Sequence, residues 1–410
     1  MEGRSITRWL FAVCLAGFFA GLTHAQDLPN IFIRETVYYG LPGVTDPASG
    51  FFDSIDCNSP LHWDERGNLY LFTSVRHAYR TSGRNLFELS RNSERTNYLE
   101  IGVTGDKWLE ATYRDSDGTL FGWYHNEAYS FCPNPNLSAP RIGMMVSYDE
   151  GRTWQDLGII LTAPDSALNC DTDNHYFAGG NGDFSVLLDA EKKYFYLLFG
   201  SYHKQIEEQG ISCARLSYAD RFQPVGKAEK WYQDDWREPG LGGHVTPVFP
   251  VQTDWHRANA DAYWGPALHY NSYLNMYVML LNHAVDKYWK QEGIYISYNY
   301  DLTNPAGWST PERLFLDPRG SAYPQVIGVG PGETDKLVGK IGRLFLLGHS
   351  YWELNFLRPG ETCEDCDRQF AVPGREPSVP NRLPGPVRPT VQTTRRGGAQ
   401  LHLALPRSPR

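Results

Sequence analysis

The stretch Asn181–His203, NGDFSVLLDAEKKYFYLLFGSYH, decides how the chain is read. Phe184–Leu188 is an almost unbroken apolar run, the pattern of a strand buried on both faces. Asp189–Lys193 is a polar turn, and Tyr194–Gly200 is a second aromatic and aliphatic run. The chain repeats this hairpin. Asn58–Trp63 precedes Asp64–Asn68 and Leu69–Ser74, and Trp108–Tyr113 precedes Asp115–Gly118 and Thr119–Tyr124. Trp264–Tyr270 precedes Asn271–Asn275 and Met276–Leu281. Tyr323–Gly328, after a longer Gly-rich insertion, precedes Arg343–Gly348. Five copies of one unit, roughly 50 to 80 residues apart, are the mark of a radial or stacked architecture. The expectation is an all-β fold: a five-bladed β-propeller of four-stranded antiparallel blades.

The 410 residues are 41% hydrophobic and 14% aromatic, ample for a large core in one closed body. A net charge of −9 gives no basic field, which argues against nucleic acid. Residues 1–25 read as a signal peptide: Arg4 and Arg8 are basic, Trp9–Leu22 is apolar, and Ala25 suits cleavage before Gln26. No other apolar run would span a membrane. Export, to the periplasm or beyond the cell, is the expectation, with a monomer in solution. Six cysteines follow the signal: Cys57, Cys132, Cys170, Cys213, Cys363 and Cys366. An even count in an exported chain favours disulfides, and at least two of the first three should pair.

Residues 26–360 form the propeller on this reading, and 361–410, Pro- and Arg-rich, a disordered tail. Ile31–Tyr39 is strand-like with no hairpin partner, whereas the fifth blade ends early, at Tyr351–Leu357. Adding the N-terminal strand to that blade closes the ring and removes its exposed edges. Ser147-Tyr-Asp-Glu-Gly-Arg-Thr-Trp154 resembles the Asp-box of sialidases and other β-propellers. In such a turn Asp caps backbone amides, Gly takes a conformation barred to other residues, and Trp packs between blades.

In an antiparallel blade the start of the inner strand and the end of the second strand share one rim. Inner-strand starts bring Asp53, Asp56, Glu110, Asp183, Asp261 and Gln325 there. Second-strand ends bring His77, His125, His203, His283 and His349, five of the chain's 12 histidines. These histidines, with Glu127, Trp264 and Gln325, are candidate substrate-binding residues. A polar ring fitting a narrow funnel is the bland reading of each. Three converging imidazoles would also suit a transition metal. No cofactor is required otherwise. Glycoside hydrolysis needs two carboxyl groups facing each other across the bond. Asp56 (or Asp53), Glu110 and Asp183 supply one from each of the first three blades. Asp56 could instead cap a turn and Asp183 the loop Gly179–Gly182, but Glu110, in Trp108-Leu-Glu-Ala-Thr, is a carboxylate in a buried strand and needs a partner or a raised pKa.

Five blades, one carboxylate from each of the first three, and export are similar to the five-bladed glycosidases of the arabinanase, β-xylosidase and levansucrase type. The resemblance implies Asp56 as base, Glu110 as tuning group and Asp183 as acid. It covers roughly residues 31–357 in architecture. It departs in having Asp as acid and Glu on blade two, and in lacking those families' Asp-Pro openings. The local wording GWYHNE, AGGNGDFS, EPGLGG, WGPALHYN and QEGIYISY is closer to a group of uncharacterised exported bacterial propeller proteins. Carboxyl groups on non-adjacent blades favour the separation of about 6.5–9.5 Å that inversion needs. Three functions stay open: a glycoside hydrolase, a non-catalytic glycan-binding propeller, and a metal-dependent hydrolase or lyase using the histidines.

Overall fold

Each polar turn between the two strands of a hairpin is closed by a side chain of its own. Asp189 accepts hydrogen bonds from the Lys193 and Tyr194 amides at 2.8 and 2.9 Å. Asp64 takes the Arg66 and Asn68 amides, and Asn271 takes that of Leu274. The turn chemistry thus sets each strand pair in register before any blade meets another. The computed structural model describes residues 28–43, 55–99, 102–103, 105–316 and 322–362. Asp53, the proposed signal peptide, Cys363, Cys366 and nearly all of the proposed tail lie outside them.

The hairpins grow into five antiparallel sheets, the blades of a β-propeller. From the axis outward, blade 1 is Leu61–Trp63, Leu69–Ser74, Ala78–Gly83 and Glu94–Arg95. Blade 2 is Lys107–Arg114, Leu120–Ala128, Ala139–Ser147 and Thr153–Leu161. Blade 3 is Asn181–Leu188, Tyr194–Ser201, Gly210–Ser217 and Glu229–Tyr232, with Asp235–Pro239 added outside. Blade 4 is Ala262–Asn271, Met276–Ala284, Gln291–Asn299 and Glu312–Phe315. Blade 5 is Pro324–Gly328, Ile341–Leu346 and His349–Leu357. Its fourth strand is Asn30–Gly40, paired from Asn30 with Leu357 to Gly40 with His349. The N-terminal strand therefore closes the ring, as its sequence suggests.

Two short segments lie where the hairpin repeat does not put them. Asn97–Leu99, at the end of the stretch read as blade 1, runs parallel to Thr153–Leu161 and covers the outer edge of blade 2. Leu337–Val338, inside the Gly-rich insertion of blade 5, pairs in parallel with the innermost strand of blade 4. Both cover a strand edge that would otherwise hold unpaired amides.

The core lies between the faces of neighbouring blades. Ala111, Phe121 and Trp123 of blade 2 pack with Phe184, Phe195 and Leu197 of blade 3. Phe72 of blade 1 meets Leu109, Met145 and Trp154 of blade 2. The Ser147–Trp154 turn, between the third and fourth strands of blade 2, positions that tryptophan. Asp149 accepts from the Thr153 amide at 2.8 Å and the Thr153 hydroxyl at 2.7 Å, and Gly151 donates to Ser147 Oγ at 2.9 Å. Gly151 has φ of +77°, and a Cβ there would lie 2.2 Å from the Phe72 ring. Trp154 then meets Phe72 edge-on, with ring centres 5.8 Å apart.

Cys132 and Cys170 form a disulfide, whereas Cys57 and Cys213 are buried free thiols. The bridge ties the loop leaving the second strand of blade 2 to the loop leading into blade 3. No helix among the described residues is long and apolar enough to cross a membrane.

Glu361 fastens the end of blade 5, accepting from Tyr273 Oη at 2.7 Å, Lys340 Nζ at 2.8 Å and the Arg358 amide at 2.9 Å. A chain ending at Thr362 keeps these bonds and every blade strand named above. Its melting temperature should stay within about 2 °C of the full chain, the scale of a sub-kilocalorie change. One ending at Leu357 should melt measurably lower. A large loss in the first truncation would place part of the fold in the tail.

Candidate active site

The inner strands of blades 2 and 3 each break register near the mouth of the funnel. In blade 2, Leu109 pairs with Tyr124 and Ala111 with Trp123, which leaves Glu110 as the extra residue. In blade 3, Gly182 pairs with Gly200 and Phe184 with Phe199, which leaves Asp183 extra, at φ +44°. A β-bulge re-aims the side chain it inserts and strands its backbone amides. Blade 2 supplies a partner there: Phe184 donates to Glu110 Oε2 at 2.9 Å, and the Asp183 amide lies 3.1 Å from His125 Nδ1. Gly182 makes this approach feasible, since a Cβ there would sit 2.7 Å from His125 Cε1.

Around His125 stand several carboxyl groups. Nδ1 is 3.2 Å from Glu110 Oε1 and 4.0 Å from Asp183 Oδ1, and Nε2 is 4.0 Å from Glu127 Oε1. Asp183 is buried, and its two oxygens accept from the Tyr202 hydroxyl at 2.6 Å and the Tyr323 hydroxyl at 3.1 Å. Tyr323 is held in turn by Asn282, whose Oδ1 accepts its amide at 3.0 Å. Glu110 is only 1% exposed. Asp56 and Glu127 differ from these two. Asp56 keeps an exposed surface, and Glu127 is partly exposed, its Oε2 accepting the Tyr129 hydroxyl.

The electrostatics follow from this crowding. Burial pushes the Asp56 carboxyl up to about 7, with the charges of Asp183, Glu127 and Glu110 adding and His125 opposing. The residue is open on its funnel side yet enclosed by protein elsewhere, so desolvation still leads. Burial also raises Glu127, against the opposing pull of His125 and Tyr129. Glu110 is raised by burial and restrained by its His125 contact. For His125, burial works against the charge, but Glu110, Asp183 and Glu127 together outweigh it and lift the imidazole to about 9.

Glu110, His125 and Asp183 each offer one atom within 4.8 Å of the other two, the spacing of a metal site. Both Asp183 oxygens are already taken by tyrosine hydroxyls, and Glu110 Oε2 by the Phe184 amide. These groups fit each other better than they fit a cation.

The five histidines of the second-strand ends do not converge. Only His125 joins the carboxyl groups. His77 bonds Thr96 O at 2.8 Å and packs at a tilt against Tyr98. His203 is buried against Glu208 at 2.9 Å, His283 lies between Asp261 and Glu292, and His349 meets the Tyr38 hydroxyl at 3.0 Å. Gln325 ties blade 5 to blade 1 by exchanging two 2.9 Å hydrogen bonds with the Ser59 backbone. Trp264 is buried against Trp289 and Tyr323. Tyr202 is the site residue that the sequence reading passes over. It is next to His203, and strand alternation sends one neighbour to each face.

No protein-family model matches the chain, and no curated protein sequence does. Solved structures with a similar chain trace include glycoside hydrolases. One is the endo-arabinase from Bacteroides thetaiotaomicron VPI-5482, at 13% identity over 80% of this chain and 98% of that one, with a TM-score of 0.43. Another is the α-L-arabinofuranosidase from Lactobacillus brevis, at 14% identity over 73% and 90%, with a TM-score of 0.45. A third is a thermostable family-43 glycoside hydrolase, at 11% identity over 74% and 91%, with a TM-score of 0.43. At this identity and this degree of superposition they say nothing about the chemistry of the present chain.

The Asp56 shift has a stability consequence whose sign is fixed. The folded carboxyl holds its proton up to about 7, against an ordinary value of 3.8. The folded state is therefore penalised progressively as pH rises between those values, and fully above them. Asp56→Asn should raise the melting temperature at pH 8 and leave it unchanged at pH 3.5. Equal shifts at both pH values would show that Asp56 is not enclosed as described.

Proposed function

We propose that the chain is an exported glycoside hydrolase that cleaves a glycan bound in the funnel mouth. The observation that carries this reading is the pair of accessible carboxyl groups, Asp56 and Glu127, within electrostatic reach of each other and of a buried Glu110–His125–Asp183 cluster. Hydrolysis of an acetal needs one protonated and one ionised carboxyl facing the sugar. Asp56, raised to about 7, is the group still carrying a proton near neutrality and serves as acid. Glu127, beside the His125 imidazolium and bonded by Tyr129, serves as base or nucleophile.

This reading changes the roles that the family resemblance implies. Asp183, buried and bonded on both oxygens, acts through its charge on Asp56 and not by meeting the sugar. Glu110 stays a tuning group. The Cys132–Cys170 bridge supports the exported reading, because such bonds persist in oxidising compartments. The bonded turn Ser147–Trp154 supports reading that segment as an Asp-box, a scaffold element remote from the chemistry.

Release of aryl aglycone from a panel of aryl glycosides, with sugar release from arabinan, xylan and galactan, tests the activity. Asp56→Asn and Glu127→Gln should each lower kcat by about 10²- to 10⁴-fold, the usual worth of a general acid or base. The kcat/KM profile should fall as pH rises through about 7, the limb set by Asp56. Tyr323→Phe should move that limb more than it lowers the maximal rate. Full activity in Asp56→Asn would overturn the assignment, and absence of hydrolysis across both panels would overturn the function.

A further inference from the structure

At the other end of the same inner strands is a cavity of about 440 Å³ that the proposed chemistry does not use. Its wall comes from three blades: Thr112 and Tyr113 of blade 2, Val186–Leu188 of blade 3, and Tyr270 and Tyr277 of blade 4. Five residues along one strand separate Asp183 from Leu188, or roughly 17 Å at about 3.3 Å per residue. Asn58 bonds the Phe184 and Pro266 carbonyls at 2.9 and 3.0 Å, and Lys336 bonds Ser185 Oγ at 2.9 Å. The space these residues enclose is too small for a water molecule.

The chemistry of this cavity is specific. Four of its six aromatic residues, Tyr113, Tyr270, Tyr277 and Tyr300, are tyrosines that bring hydroxyls, and Trp123 and Phe195 complete the wall. Tyr270 and Tyr277 have ring centres 5.2 Å apart, tilted by 58°, and Tyr270 donates to the exposed amide side chain of Asn275. Tyr300 is 51% exposed at the rim. Thr112 is buried in the wall, and its hydroxyl has no hydrogen-bond partner, a state that is costly to leave unmade. The cationic group on the wall, Lys336, is already paired with Asp335 at 3.2 Å, so the surface offers no free charge to an anion. Aromatic faces interleaved with neutral donors and acceptors suit a ring with an apolar face and a polar edge. The volume falls in the range of about 300–1,000 Å³ typical of small-ligand sites.

We propose that this cavity is a second, non-catalytic carbohydrate site, taking one or two neutral sugar units of a glycan on the face opposite the carboxyl groups. The inference rests on the proposed function only for the class of ligand. Its occupant stacks on Tyr277 and Tyr300 and hydrogen-bonds Asn275.

The test is affinity electrophoresis of the full chain in gels containing soluble arabinan, xylan, galactan, mannan or β-glucan, with hydrolysis of an aryl glycoside measured in parallel. At least one polymer should retard the wild type, and Asp56→Asn should be retarded equally. Tyr300→Ala and Tyr277→Ala should each weaken the affinity for that polymer roughly tenfold, the scale of one lost aromatic contact. Their kcat/KM on the aryl glycoside should not change. Tyr300 lies at the surface, so its replacement leaves the core intact, and Tyr277→Phe, which keeps the ring, should bind more tightly than Tyr277→Ala. Undiminished retardation in both alanine variants, or none by any polymer in the wild type, would overturn the proposal. Failure of the aryl glycoside assay alone would instead count against the hydrolase.

Discussion

Blade 3 presents a backbone amide to the interior at its bulge, and blade 2 answers with a carboxylate. Each side of this exchange needs the other. Without Glu110, the amide of Phe184 would be buried and unpaired. Without that amide, a carboxylate that is 1% exposed would keep only its histidine contact. Leaving either unsatisfied costs about 1–3 kcal/mol per group, more where it is charged. The contact therefore fixes blade 2 against blade 3 at the radius where the accessible carboxyl groups stand.

That local lock has value only if the ring cannot open. Closure comes from Asn30–Gly40, which pairs the first described strand with the last. The Arg34–Glu353 ion pair across this seam is partly exposed, and such pairs are worth about 0–1 kcal/mol. Burying one large apolar side chain is worth about 1.5–3 kcal/mol. The packing between blades, such as Leu354 and Phe356 of blade 5 with Val278 and Leu280 of blade 4, therefore contributes more. The ion pair selects register, and the apolar faces hold the circle. A fixed circumference in turn keeps Asp56 of blade 1 within electrostatic reach of Asp183 of blade 3.

The architecture was legible in the sequence because a hairpin repeat is a pattern of residue types. Phe184–Leu188 and its four counterparts announce inner strands whatever their neighbours do. The closing strand was legible by elimination: a strand without a partner and a blade without an edge. The site was legible only in part. Glu110 and Asp183 stood out as charges beside apolar runs, but the bulges that turn them inward leave no mark in residue type. The histidine series shows the cost of reading position without phase. At the end of a strand one residue of slip exchanges the two faces, so Tyr202 reaches Asp183 while its neighbour His203 turns to Glu208. The short parallel strands Asn97–Leu99 and Leu337–Val338 were invisible for another reason: their pairing is decided by an edge far away in sequence.

The carboxyl groups of the mouth divide by access to solvent, and this division gives each a different physical task. Glu110 and Asp183 are occupied by protein donors: a backbone amide for one, two tyrosine hydroxyls for the other. Groups so committed cannot turn to a substrate without losing those bonds. What they can do is act at a distance through charge, which in a site shielded from bulk water falls off slowly. Asp183 is the leading charge that raises Asp56, and His125 is the one that opposes it. The same imidazole lies 4.0 Å from Glu127, where its charge favours the ionised form. The buried cluster thus acts on both accessible carboxyl groups, Asp183 raising each and His125 restraining each. The protonation of each is set by the balance of burial, Asp183 and His125, with burial leading at both.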